Sequence, residues 1–444
     1  MQKSLLLLII LLSLFSCTRE TEKRSDSIHA IPLDAAIIIE SNNLSKSLEE
    51  LTKSAFWTTL STETSLQETQ NYLFYLDSNL ANYSSHISSI NPVFLSIHLT
   101  GAQSFNWLII SSTEHQEQKI QLLEIGLASF AKTKKQSYSN AVITEVIMNG
   151  SRIYYSKLNG LLMLSQEKIL VEDAIRQLKT PNNLTAQASF SAIYNSANKK
   201  EDYNLYLNTK NLDRISKSIF TQSTQLKNQA EWMQWDLDLS KNGILFSGIS
   251  LSHDSLAQEL SFFKGNDAHP VLAPSVLPKN TALFVSKSFE NFKQFQRKQL
   301  NGLSFTHQQN TYTKNLVGLN EDLKTNFESW IDSEITWFLA ENGTDLGEGL
   351  IIHITNESEI NEFITQKADS ILNYREEVLY KWTELKYLST LCATSTIKKY
   401  EYACIINEQL IVSEDLSLLK NVINNFKSEK SLAKLEDYQN CMEE

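Results

Sequence analysis

Several patterns in the chain set side chains at spacings that could do chemistry. Ser165-Gln166-Glu167-Lys168 puts an amine one helical turn from a hydroxyl, the Ser-x-x-Lys arrangement of serine acyl-transfer enzymes. The same spacing recurs at Ser196 to Lys199 and at Ser431 to Lys434, with no Lys-Thr-Gly or Ser-Asp-Asn element beside any of them. A serine that ends an apolar strand and opens a helix is better explained as an N-cap accepting an exposed backbone N–H, worth about 1 kcal/mol. Asp236-Leu237-Asp238 sets two carboxylates on one strand face, as a metal or an acid pair would need. Trp235, Leu237 and Leu239 take the other face, so a half-solvated strand accounts for the pattern. His98, His115, His253, His307 and His353 are scattered, without His-x-His, His-Glu-x-x-His or Cys-x-x-Cys spacing. With no glycine-rich phosphate loop either, the sequence implies no metal, no cofactor and no catalytic residue. Cys392 and Cys404 stand symmetrically about Lys398, so a hairpin turning there would place them opposite one another. That predicts a cross-strand disulfide in an oxidising compartment, with Cys441 left free in a polar tail.

Cys17 has the most defined chemical setting. One basic residue, Lys3, precedes an apolar stretch from Leu5 to Leu12 that continues through Leu14 and Phe15. About 10 apolar residues make the core of an export signal, well short of the ~20 that a spanning helix needs. The stretch ends in Leu14-Phe15-Ser16-Cys17, which has the form of a lipobox: a branched apolar residue, a tolerant position, a small residue, then cysteine. Ser16 is small enough for a peptidase to cut before Cys17, whose thiol would carry diacylglycerol and whose new amine would carry a third acyl chain such as palmitate. At ~0.8 kcal/mol per buried methylene, several chains anchor stably where one would not. Residues 18–27 read as a polar tether. Thr18, in place of Asp, favours the outer membrane. Arg19, Lys23 and Arg24 interrupt Glu20, Glu22 and Asp26, which favours the periplasmic side.

The remaining length suits two or three domains, with an apolar fraction of 42% and a charged fraction of 20%. A net charge of -11 argues against nucleic acid as a partner. The expected partners are the membrane, through the lipid, and another envelope protein. The sequence leaves the oligomeric state open.

Internal repetition organises the elements. Ile31-Pro32-Leu33-Asp34-Ala35-Ala36-Ile37-Ile38-Ile39 returns as Leu277-Pro278-Lys279-Asn280-Thr281-Ala282-Leu283-Phe284-Val285, a proline turn running into a strand. An amphipathic helix follows each: Leu44, Leu48 and Leu51 after Asn43, and Phe289, Phe292 and Phe295 after Ser288, the two polar residues standing where N-caps belong. Strand Phe105–Ile110 matches Gly349–Ile354, with Ile109 aligned to Ile351. Leu161–Ser165 matches Gln409–Ser413, and Leu170, Val171, Ala174, Ile175 and Leu178 then match Leu418, Leu419, Val422, Ile423 and Phe426. The offsets of 246, 242 and 248 are nearly constant. Asn149-Gly150 and Asn159-Gly160 punctuate a three-stranded meander over residues 142–164. Asn242-Gly243 turns a second one, starting at Trp235, to which residues 256–263 could add a strand.

These features predict an α+β fold: a duplicated module of antiparallel sheets with packed helices, joined by a central strand-helix-meander segment. The boundaries are a signal at 1–16, a tether at 17–27, a first repeat at 28–200, a central segment at 201–268, a second repeat at 269–430 and a tail at 431–444. The blocks IPLDAAIIIE (31–40), NLYLNTKNL (204–212), WMQWDLDLSKNGILFSG (232–248) and LPKNTALFV (277–285) resemble exported lipoproteins of Bacteroidota-type bacteria. That resemblance implies an internally duplicated envelope protein of a family without an established activity, so it carries over no functional residue. The function expected is a non-catalytic binding or structural component acting through the face between its halves. The alternatives are an envelope hydrolase with a site assembled from distant residues, or a carrier of an apolar molecule.

Overall fold

The computed structural model describes residues 26–41, 92–101, 104–113, 132–148, 151–199, 203–219, 229–239, 244–252, 258–267, 269–303, 314–392 and 399–443, with isolated positions at 53, 118, 121 and 124. Ser16, Cys17, the helix expected after Asn43 and the Asn149-Gly150 and Asn242-Gly243 turns lie outside them. The fold is α+β, and the chain divides into two compact units.

The first sheet has ten strands: β1 (Ile37–Ser41), β2 (Val93–Leu99), β3 (Phe105–Ser112), β4 (Lys132–Tyr138), β5 (Ala141–Met148), β6 (Ser151–Leu158), β7 (Leu161–Ser165), β8 (Tyr203–Asn208), β9 (Trp232–Leu239) and β10 (Ile244–Leu251). Its spatial order is β10-β9-β8-β1-β2-β3-β7-β6-β5-β4. The second unit holds seven strands: β11 (Thr281–Ser288), β12 (Ile331–Asn342), β13 (Asp345–Ile354), β14 (Ser370–Tyr374), β15 (Glu377–Lys381), β16 (Tyr402–Ile406) and β17 (Gln409–Ser413). They are ordered β11-β12-β13-β17-β16-β15-β14. Without β8, β9 and β10 the two orders are the same, so the modules repeat one topology.

Local sequence explains the matched parts. β7 and β17 are buried at every position, which is why they read as unbroken apolar runs. The helix that follows each, Lys168–Gln177 or Leu416–Lys427, buries Leu170, Val171, Ala174 and Ile175, or Leu418, Leu419, Val422 and Ile423, on one stripe. Asn159 and Gly160 both adopt positive φ, 52° and 75°, as a two-residue hairpin turn requires.

Four expectations need correction. The central segment is not a separate body, because β8 pairs with β1 and extends the first sheet. Residues 259–263 form a 3-10 turn in place of a strand. The tail is the end of the second repeat: the 3-10 turn Leu432–Lys434 and helix Glu436–Glu443 correspond to Leu184–Ala186 and Ala188–Ser196 after β7. The helix after β11 starts at Phe292 and is capped by Asn291, which accepts from Gln294 N–H at 3.0 Å, because Ser288 still belongs to the strand.

One alignment slips by a residue. Leu108 faces Ser165 as Gly349 faces Ser413, so the register offset is 241, where the sequence match of Ile109 with Ile351 gave 242. Side-chain direction alternates along a strand, so that single step exchanges the faces. β4 was not anticipated either. Its sequence, KTKKQSY, has no apolar alternation because it is a solvated outer edge, guarded by three lysines.

Candidate functional site

Asp34, His98 and Ser96 are connected in the order of a catalytic triad. His98 Nδ1 lies 3.0 Å from Asp34 Oδ1, and Nε2 lies 2.8 Å from Ser96 Oγ. Ser96 and His98 are two residues apart on β2 and therefore share a face. The turn at Pro32 brings Asp34 over them. Triad chemistry needs an accessible nucleophile and a sheltered acid. Here the order is inverted: Ser96 and His98 are fully buried, and the Asp34 side chain is 60% exposed. Ser96 Oγ also lies 3.3 Å from the Leu108 carbonyl oxygen. The cluster therefore satisfies a buried imidazole and ties the proline turn to β2. No local spacing signals it, since the two ends of the His98–Asp34 contact are 64 positions apart.

The hydrogen bond from His98 holds the Asp34 carboxyl below its ordinary value of 3.8, against the burial that raises it. A carboxylate favoured in the folded state adds stability above its unfolded value, and that stability is lost as pH falls through the lower folded one. We expect stability to drop as pH is lowered below about 3.8, the ordinary value. Asp34→Asn should flatten that part of the curve, as measured by urea unfolding at stepped pH. An unchanged acid limb would refute the assignment.

The Ser-x-x-Lys pattern does not assemble a site at Ser165. Its buried hydroxyl donates to the Trp107 carbonyl at 2.6 Å and accepts from Glu167 N–H at 3.0 Å. Lys168 pairs with Glu172 at 2.9 Å. Ser413 repeats the device, donating to the Glu348 carbonyl at 2.8 Å and accepting from Asp415 N–H at 3.0 Å. The serines thus stitch strand to helix as expected, but the N-cap positions proper are Glu167 and Asp415, two residues on. Asp236 accepts from Gln234 Nε2 at 2.7 Å, while the Asp238 side chain lies outside the described set. His353 lies 3.0 Å from both Asp332 and Ser333. Among the described residues no group of three or more potential metal ligands converges.

Two buried carboxylates carry the densest polar networks. In the first unit Glu40 accepts from Tyr206 Oη at 2.8 Å and pairs with Lys199, whose ammonium sits 3.9 Å from the centre of the Tyr194 ring. Phe190 and Trp232 complete the aromatic surround, their rings 4.9 Å apart. In the second unit Glu334 accepts from Leu272 N–H at 2.6 Å, Ala273 N–H at 3.2 Å, Ser286 Oγ at 3.1 Å and Thr336 Oγ1 at 2.7 Å. Gln409 Nε2 meets Ser275 Oγ at 2.8 Å, fixing the other side of the same turn.

The expected disulfide is absent. Cys392 and Cys404 are free, buried thiols. Cys404 faces Leu379 and Ile411 across the sheet, where Ser156 faces Ile143 and Met163 in the first module. Cys392 instead caps a short helix, Leu388–Leu391, within an insertion between β15 and β16 where the first module has a two-residue link. The insertion breaks the offset on which the pairing rested. The two cysteines also belong to different hydrophobic clusters, Cys392 with Trp330, Leu350 and Val412, and Cys404 with Phe338, Ile351 and Ile411, on opposite faces of the sheet. Burial pushes the Cys392 thiol up to about 12 and raises Cys404 as well. Both are expected to resist a water-soluble thiol reagent in the folded chain and to react on denaturation. Peptide mapping that recovers a Cys392–Cys404 bridge would contradict this.

No family model matches the chain, and no curated protein does. Among solved structures it aligns with TP0453 in crystal form III, at 7% identity and a TM-score of 0.26, over 90% of this chain and 98% of that one. Crystal form I of TP0453 aligns at 6% identity and a TM-score of 0.24, over 90% and 97%. Likeness at that level carries no argument about this chain.

Proposed function

We propose that the chain is a bacterial envelope lipoprotein, anchored through Cys17 in the outer membrane and facing the periplasm, whose body binds or braces another envelope component without catalysing a reaction. The observation that carries the reading is the sequence Leu14-Phe15-Ser16-Cys17 directly after an apolar core of signal length. The polar clusters of the body fit a supporting role, because Ser96, Ser165, Ser413, Glu40 and Glu334 all spend their hydrogen bonds within the chain. No helix among the described residues is long and apolar enough to cross a membrane.

Metabolic labelling with a palmitate analogue tests the anchor. Wild-type chain should take up label and fractionate with membranes, and Cys17→Ala should lose both; label retained by the variant would refute the anchor. Crosslinking in intact envelopes followed by pulldown tests the rest. Reproducible recovery of one envelope assembly supports the reading. Turnover of an envelope polymer by the purified chain, with no assembly recovered, overturns it in favour of a hydrolase.

A further inference from the structure

The two modules differ at one strand edge. In the first, β1 is an interior strand: β8 pairs with its outer side, Ile37 facing Leu207 and Ile39 facing Leu205. The topology match places β11 where β1 stands, and the offset of 246 sets Leu283 and Val285 on Ile37 and Ile39. Among the described residues the second module has no counterpart of β8, and no strand pairs with the outer side of β11. Leu283 and Val285 are 50% and 48% exposed there, next to an unfilled row of backbone donors and acceptors. The other module's outer edge at β4 is blocked by lysines, whereas β11 carries a single charge, Lys287.

We propose that β11 is a docking edge for the same strand of a second copy of this chain, the two sheets joining antiparallel across a twofold axis. The argument for a second copy is self-complementarity in shape and charge. Antiparallel pairing centred on Phe284 sets Leu283 against Val285 twice, reproducing the apolar pairs that Ile37 and Ile39 make with β8. The register of β11 shifts between Thr281 and Leu283, so the regular pairing is confined to the stretch from Leu283 to Val285; no like charges meet, and the two lysines lie about 20 Å apart at opposite ends. A twofold contact of this kind closes on itself, with no further edge left to grow from at β11. One strand pair falls below the roughly 1,200 Å² of a standard stable interface, so the dimer belongs to the weak, reversible class.

The full chain in detergent should show a monomer–dimer equilibrium by sedimentation velocity in the micromolar range. Leu283→Lys and Val285→Lys should each weaken the dimer about tenfold or more, since each sets a charge against an apolar partner. Leu346→Lys, at an exposed position off β11, should leave the dimer intact. Register is read by cysteine capture in a Cys441→Ser background. Leu283→Cys and Val285→Cys chains, mixed and mildly oxidised, should link to each other more readily than either links to itself. Thermal melts of the lysine variants check that they fold. A chain that stays monomeric throughout the range, a dimer indifferent to both lysine substitutions, or capture through β10 or β14 in place of β11 would overturn the proposal.

Discussion

Replacing Glu334 with alanine should cost about 3–5 kcal/mol, one of the two largest single losses expected in this chain. The carboxylate is 3% exposed and is the acceptor for two backbone N–H groups and two hydroxyls. Removing it strands the Leu272 and Ala273 amides, which open the 3-10 turn leading to β11, and each buried orphan costs about 1–3 kcal/mol. Glu334→Gln should lose less, because its remaining carbonyl oxygen can keep the Ala273, Ser286 and Thr336 bonds while its amide N–H groups face only the Leu272 N–H. Thermal melting reads the effect: for a cooperative unit of roughly 200 residues, 3–5 kcal/mol corresponds to a fall of roughly 10 °C. A variant melting within a degree or two of wild type would show that the turn is held otherwise.

Glu40→Ala should lose a similar amount, for a different reason. Glu40 is almost wholly buried and Lys199 mostly so, and taking away one member leaves the other charged among aromatic rings. Breaking such a pair typically costs about 3–5 kcal/mol, whereas replacing both members with apolar groups is often close to neutral. The expected result is therefore non-additive. Glu40→Leu combined with Lys199→Met should be more stable than either Glu40→Ala or Lys199→Met alone. Additive losses in urea titrations would mean that the two side chains are not energetically coupled.

How far the sequence revealed these features follows from the range of the interactions. The helices after β7 and β17 were readable because their apolar stripes depend on neighbours three and four positions away. The repeat was readable where both modules keep the same spacing, and it misled at Cys392, where one module has an insertion. The offset slip on β3 has a packing counterpart: Ser96 lies beside Leu108, whereas Phe338 lies beside Gly349. A Cβ on Gly349 would stand 2.4 Å from the Phe338 ring, so the small and large members of the pair have changed places. Matching residue types across the repeat obscures such an exchange. Glu40 and Glu334 looked like ordinary strand polar residues, because the Lys199 that meets Glu40 is 159 positions away and the amides that meet Glu334 lie in another element. Lipidation at Cys17 concerns residues outside those described and stands on the sequence alone.

The pairing of β1 with β8 has a consequence for refolding. Ile37 and Leu207, which face each other, are 170 residues apart. Among the described residues this pairing joins positions farther apart in sequence than any other strand pair, and the second sheet closes through shorter separations such as β13 with β17. A chain that folds after crossing a membrane must close that loop from the unfolded state, so β1–β8 docking should be the slow step of refolding and β1 the strand most exposed to wrong partners meanwhile.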